Sequence, residues 1–315
     1  MSISIVCTID EKYAQHCAVM LSSLFSNNPH QDFNIYIITD SISSREMEKL
    51  KLFLEENKKN FEFITISKDS FTNAPVTHHI SIATYFRLCI PKVLPPTVNR
   101  VLFIDSDIVI RKPITPLLNI NIENFSHAAA IASGMDDYPP TIGLPQDSLY
   151  FNAGLMLINL EAWRRLNVFE RSCDLIRQQP DRLQWHDQDT LNILLHNSWL
   201  PIDLTWNSQP FIYDQEGINR SHYRAKYEKF DYLTAQVEPA IVHFVGGGTA
   251  KPWYYGCQHP FKDEYFKYLA TTPWKNMQLL GKPNYLSKVT ADLRFRLGIG
   301  SKIRNLLAPL TGRIS

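Results

Sequence analysis

The first 66 residues alternate between two hydrophobic periods, and that alternation limits the chain to a wound α/β sheet. Residues 3–9 form a short β-branched run, read as a buried strand. In 13–25, Ala14, Cys17, Ala18, Leu21, Leu24 and Phe25 recur at helical spacing. Residues 33–39 (FNIYIIT) read as a second strand. Ser43 or Ser44 then caps a helix carrying Met47, Leu50 and Leu54 on one face. Residues 61–66 (FEFITI) give a third strand. Strand–helix–strand–helix–strand predicts a parallel sheet with right-handed crossovers. Such sheets bind ligands at the carboxyl ends of their strands, near a switch in strand order.

Further elements follow. Residues 101–104 are the next strand, 108–110 continue extended, and 127–132 and 151–160 read as strands. Residues 161–179 and 187–196 read as helices, 201–240 as irregular and aromatic-rich, and 241–245 as a late strand. The expected class is α/β, with a mostly parallel central sheet flanked by helices.

The strongest local signal is LFIDSDIVI, residues 102–110. Asp105 and Asp107, at i and i+2 on an extended chain, project to the same side where an apolar strand leaves the core. Two hard oxygen donors there suit Mg²⁺ or Mn²⁺, and such an ion would neutralise a diphosphate leaving group. A short D-x-D also occurs by chance as the start of an acidic loop. Other segments sharpen the reading. His243 ends the late strand and offers a third ligand, or it is a satisfied core histidine. Gly246, Gly247 and Gly248 let backbone N–H groups approach phosphate, with Lys251 close by. Asn152 lies in an apolar run, YFNAGLMLIN, and needs partners there. Asp187 opens a helix, where a carboxylate also serves as a cap. Arg87, in a mostly apolar segment, needs an anion, either a ligand or Asp105.

In this order, D-x-D after a strand, F-N-A-G-x-x-x-I-N, D-Q-D-x-x-N and H-F…K-P-W resemble the retaining glycosyltransferases of family 8, of GT-A fold. The likeness covers roughly residues 3–275 and is nearest to bacterial lipooligosaccharide and lipopolysaccharide α-galactosyl- and α-glucosyltransferases. It implies transfer of a hexose from a UDP-sugar to a glycan hydroxyl. It implies Mn²⁺ or Mg²⁺ on Asp105, Asp107 and His243. Uridine contacts fall on Thr8, Asp10, Lys12 and Tyr13, with Tyr13 stacked on uracil. Further donor contacts fall on Arg87, Asp105, Ser106, Asn152, Gly154, Asp187, Gln188, Gly246, Gly247 and Lys251. Asp187 and Gln188 are the catalytic candidates beside the sugar, and His79 and Trp185 the acceptor contacts. The chain departs from the family pattern in having Lys12 for Asn and a longer H-F-V-G-G-G-T-A-K-P-W spacing. Which of Gly246–Gly248 faces phosphate stays open.

Competing classes are weaker. A nucleotidyltransferase would need a Gly-rich loop after the first strand, and Thr8-Ile9-Asp10-Glu11-Lys12 has no glycine. A metal-dependent phosphohydrolase would use the same ligands without an acceptor. A non-catalytic glycan-binding protein would have lost metal ligands, and none is lost.

Charge sharpens the organisation. The total is +1, from 32 Lys plus Arg against 31 Asp plus Glu, which excludes a globally basic nucleic-acid binder. Residues 282–315 hold seven basic residues and only Asp292, leaving 25 basic against 30 acidic in 1–281. Leu286, Val289, Leu293 and Leu297 recur there at helical spacing. We therefore expect a catalytic domain, 1–281, and a basic amphipathic tail, 282–315, that binds an anionic membrane surface. The five cysteines form no C-x-x-C pair and read as reduced thiols. No secretory signal and no run of ~18 apolar residues is present. A cytoplasmic enzyme, peripheral on the inner membrane's cytoplasmic face, is the expected placement. Oligomeric state has no signal in the sequence.

Overall fold

The computed structural model describes residues 3–67, 71, 74–76, 81–214 and 229–282. Nine strands run as β1 (Ile3–Thr8), β2 (Phe33–Thr39), β3 (Asn60–Thr65), β4 (Arg100–Ile104), β5 (Ile108–Ile110), β6 (His127–Ile131), β7 (Phe151–Asn159), β8 (Trp199–Pro201) and β9 (Ile241–His243). Seven make one sheet in the order β3-β2-β1-β4-β7-β6-β8, and β5 pairs with β9 apart from it. The pairs from β3 to β4 are parallel, β7 is antiparallel to both β4 and β6, and β8 is parallel to β6.

The main helices are α1 (Ala14–Asn27), α2 (Ser44–Glu56), α3 (Leu160–Arg165), α4 (Val168–Gln178), α5 (His186–Leu195), α6 (Lys229–Val237) and α7 (Lys262–Leu269). Ser43 caps α2, its hydroxyl accepting from the Glu46 N–H. α1 is buried almost all round, because α2, α7 and β5 pack on it. Its Ala, Cys, Val, Met and Leu side chains join the strand residues Ile5, Ile35 and Leu102 in one core.

The strand order reverses at β1. β2 and β3 lie on one side of it and β4 on the other, so the chain segments leaving β1 and β4 diverge and open a crevice. Residues 9–13 follow β1 into that crevice, and residues 105–107 follow β4. A cross-tie steadies the first loop: the Glu11 carboxylate accepts from the Ser43 N–H at 2.7 Å and its hydroxyl at 2.8 Å.

Several expectations need correction. Residues 105–107 do not stay extended; the chain turns at Ser106–Asp107, because it leaves one sheet to begin the other. The helix expected over 161–179 breaks into α3 and α4 at Asn167, which takes a left-handed φ of 51°. The segment 201–240, expected irregular, includes α6, and β8 was not foreseen. His79 and residues 283–315 lie outside the described residues. Four of the five cysteines are buried and all are free. No helix among the described residues is long and apolar enough to cross a membrane.

Candidate active site

Three strand ends converge at the crevice. Asp105 continues β4 and donates its N–H to the Gly154 carbonyl of β7 at 2.8 Å. The pairing of Ile108 with His243 then brings the end of β9 beside the acidic turn. Phe244 closes that turn, its N–H donating to the Asp107 carbonyl at 3.0 Å. Backbone register thus assembles Asp105, Asp107 and His243, whose ligand atoms lie within 4.8 Å of one another. His243 Nε2 is 3.2 Å from Asp107 Oδ1 and 3.9 Å from Asp105 Oδ2.

Gly154 forms the wall of this cluster. A Cβ there would sit 2.2 Å from His243 Cε1 and 2.7 Å from Asp105 Oδ2. The cradle fits a small divalent cation: two carboxylates and an imidazole nitrogen, closed on one side by bare backbone. Two cations already serve the acids. Arg87 reaches Asp105 at 2.8 Å, and Lys251 pairs with Asp107. Burial pushes the Asp105 carboxyl up to about 6, although Arg87 opposes the shift. Burial acts the same way on Asp107, but Lys251 and His243 prevail and hold it well below the carboxylate range.

The sugar-facing candidates are already committed to partners. Asp187 forms an ion pair with Arg87, its Oδ2 2.9 Å from Arg87 Nε, and accepts from the Thr84 hydroxyl. Gln188 Oε1 accepts from the Ala153 N–H at 3.0 Å and Asn152 Nδ2 at 3.2 Å, while its Nε2 donates to the Tyr150 hydroxyl at 3.2 Å. Behind them Asp189 accepts from Tyr138, Tyr150 and the Trp185 N–H at 2.6–2.8 Å. Trp185 itself is about half exposed at the surface.

At the other end Asp10 is an N-cap, its Oδ1 accepting from the N–H groups of Lys12 (2.9 Å) and Tyr13 (3.1 Å). Lys12 is exposed and Thr8 buried. Tyr13 meets the Trp253 ring edge-on, and His16 stacks on Trp253 with centroids 3.6 Å apart. The Trp253 ring lies 5.6 Å from Lys251 Nζ, so α1 braces the Lys-Pro-Trp segment. Gly246 and Gly248 have φ of 106° and 56°, conformations that favour glycine. Ser106 is buried between the acids, and its hydroxyl has no partner among the described residues.

The structure therefore brings together Arg87, Asp105, Asp107, Asn152, Gly154, Asp187, Gln188, His243 and Lys251. Thr84, Asn207, Tyr150 and Asp189 were not read from the sequence as site residues. The second acid of D-Q-D was the one visible signal among them. Asn207 is fully buried in the segment taken as irregular.

A carboxylate pair at the switch point of a sheet whose far half turns antiparallel is the architecture of the GT-A glycosyltransferases, sugar-nucleotide-dependent enzymes. A model of Glycosyl transferase family 8 matches residues 4–257, and the chain belongs to that family. General stress protein A of Bacillus subtilis (strain 168) is 30% identical over 277 residues, 87% of this chain and 95% of that protein. A lipopolysaccharide 1,3-galactosyltransferase of Salmonella typhimurium is 26% identical over 281 residues, 86% of this chain and 79% of the relative. Among solved structures, the galactosyltransferase LgtC in complex with donor and acceptor sugar analogs superposes with a TM-score of 0.76 at 26% identity. The match covers 86% of this chain and 96% of LgtC.

Proposed function

We propose that this chain transfers a hexose, galactose or glucose, from a UDP-sugar to a hydroxyl of a lipopolysaccharide- or lipooligosaccharide-type glycan, with retention at the anomeric carbon. The observation that carries the reading is the convergence of Asp105, Asp107, His243 and Lys251 at the switch point of a family 8 fold. Asp105, Asp107 and His243 would hold Mn²⁺ or Mg²⁺. Such an ion supplies charge neutralisation for the departing diphosphate.

The rest of the chemistry falls to the chain. Lys251 sits where it can pass from Asp107 to the diphosphate, and backbone N–H groups of the Gly246–Gly248 turn would serve beside it as fixed donors. Arg87 pairs with both Asp105 and Asp187 and holds the two carboxylates in place. Asp10 fixes the turn that presents Tyr13 to the base. A retaining double displacement needs a free carboxylate against the anomeric carbon. Asp187 is bound by Arg87 and Thr84, Asp189 by three donors, and Gln188 is an amide. Attack by the acceptor hydroxyl on the face that UDP leaves follows, with the leaving phosphate oxygen taking the hydroxyl proton. A trapped glycosyl adduct on Asp187 in the unmutated enzyme would overturn that order.

Gln188→Ala tests the sugar side. Its amide oxygen fixes the Asn152–Ala153 stretch of β7, so the sugar loses its alignment while UDP keeps its own contacts. Turnover should fall on the order of 10²-fold, as misplacement of a reacting centre does, with UDP affinity within a few-fold of unmutated enzyme. Loss of UDP affinity with turnover preserved at saturating donor would remove Gln188 from the sugar site.

The basic stretch 282–315 supports peripheral binding to an anionic leaflet, at about 1 kcal/mol per basic residue near the surface. Truncation after residue 281 should leave donor hydrolysis unchanged and release the enzyme from phosphatidylserine vesicles in a co-sedimentation assay. Equal vesicle binding by the shortened chain would assign the membrane contact elsewhere.

A further inference from the structure

His243 has two ring nitrogens, and only one can meet an ion. Which one carries the proton is set by the group on the other side of the ring. That group is Asn207: His243 Nδ1 lies 3.0 Å from Asn207 Oδ1. Asn207 belongs to neither the D-x-D turn nor the late strand. It reaches the ring because the backbone beside it pairs with β9. The Ser208 N–H donates to the Ile241 carbonyl at 3.0 Å, and the His243 N–H donates to the Ser208 carbonyl at 2.9 Å.

A side-chain amide can be turned end for end, so the contact alone does not fix the proton. Two backbone donors fix it. The Gly154 N–H donates to Asn152 Oδ1 at 3.0 Å, which makes that end of Asn152 an acceptor. The Ala153 N–H donates to Gln188 Oε1 at 3.0 Å, and Asn152 Nδ2 donates to the same oxygen at 3.2 Å, so the other end of Asn152 is its NH₂. Asn207 meets Asn152 Oδ1 at 3.0 Å and must present its own NH₂ there. Its oxygen is then left for His243, and the His243 Nδ1 must donate. Turning any one amide would set two carbonyl oxygens, or two N–H groups, face to face in a buried site and leave both without a partner.

We propose that Asn207 is a positioning residue that holds a proton on His243 Nδ1, which leaves Nε2, the nitrogen facing Asp105 and Asp107, as the one available to an ion. The hydrogen-bond polarity starts at two peptide N–H groups of β7, and one amide chain serves both His243 and Gln188. The Asn-Ala-Gly segment therefore sets the protonation geometry of the metal face as well as lining the sugar side. The consequence for a bound ion rests on the transferase reading above; the polarity of the chain does not.

The test uses the full-length protein. In ¹⁵N-histidine-labelled, metal-free enzyme at pH 8.5, long-range ¹H–¹⁵N correlations should show His243 with its proton on Nδ1. A His243 Nδ1 that carries no proton overturns the assignment. Asn207→Ala should weaken Mn²⁺ binding about 10–100-fold, read by the free-Mn²⁺ EPR signal without any donor present. Asn207→Asp, which keeps an acceptor for Nδ1–H, should recover part of that loss. Mn²⁺ binding by Asn207→Ala as tight as unmutated enzyme, in a folded protein, contradicts the positioning role. Should the unmutated enzyme take up no Mn²⁺, the metal reading fails, while the NMR result still decides the tautomer.

Discussion

Gly154→Ala should abolish sugar transfer while the protein remains folded. The added methyl is not accommodated in empty space: it would lie 2.2 Å from His243 Cε1 and 2.7 Å from Asp105 Oδ2. Gly154 cannot retreat, because its carbonyl accepts the Asp105 N–H and its own N–H is held by Asn152. The two proposed ligands must move instead. Overpacking of this kind costs about 1–3 kcal/mol, which a domain of this size survives. The site does not, since moving outer groups alone costs 10–100-fold in metal affinity and here two ligands are displaced, so Mn²⁺ affinity should fall by more than about 100-fold. Mn²⁺ titration and UDP release, beside a circular-dichroism spectrum, check both halves. A Gly154→Ala enzyme with undiminished Mn²⁺ affinity would place the ion elsewhere.

Asp107→Asn carries the next largest effect, and it reaches stability as well as activity. One carboxylate oxygen faces His243 Nε2 and the other pairs with Lys251, whose side chain is only 7% exposed. The amide keeps the shape and removes the charge. Lys251 is then buried without its counterion, and breaking a buried pair on one side costs about 3–5 kcal/mol. A fall in Tm of roughly 10 °C is expected. Turnover should vanish, because a ligand is lost and Lys251 no longer has its resting place beside the diphosphate site. Mn²⁺-dependent UDP release at the unmutated rate would remove Asp107 from the ligand set. Asp105→Asn offers a contrast. Arg87 retains Asp187 as an anionic partner, so transfer should be lost with a smaller change in Tm.

Most of the nucleotide-binding half was legible. Strand–helix alternation located β1, α1, β2, α2 and β3 to within a residue or two, because each carries a clean period and α2 a Ser cap. The direction of β7 was not legible: a continuous apolar run reads the same in a parallel or an antiparallel strand. β8 is three residues ending in Pro201, too short for a period. The break at Asn167 had a signal, since Asn tolerates a left-handed φ, but helical spacing on both sides masked it. The candidate trio Asp105, Asp107 and His243 was readable because its residue types announce their chemistry. Asn207 was not, since its role exists only through contacts with Asn152, 55 residues away, and His243, 36 away. Arg87 was anticipated as a partner of Asp105, and the structure adds Asp187 to it.

The most direct measurement follows the anomeric proton during turnover. The enzyme is incubated with Mn²⁺ and UDP-galactose, UDP-glucose or UDP-N-acetylglucosamine, with a glycan acceptor or water, and ¹H NMR spectra are taken from the first minutes. Metal-dependent retaining transfer predicts UDP together with an α-linked product, or α-hexose first in the absence of acceptor. One of the two hexose donors should be used, and EDTA should stop the reaction. UMP and hexose 1-phosphate, or a β-anomer appearing first, would contradict it.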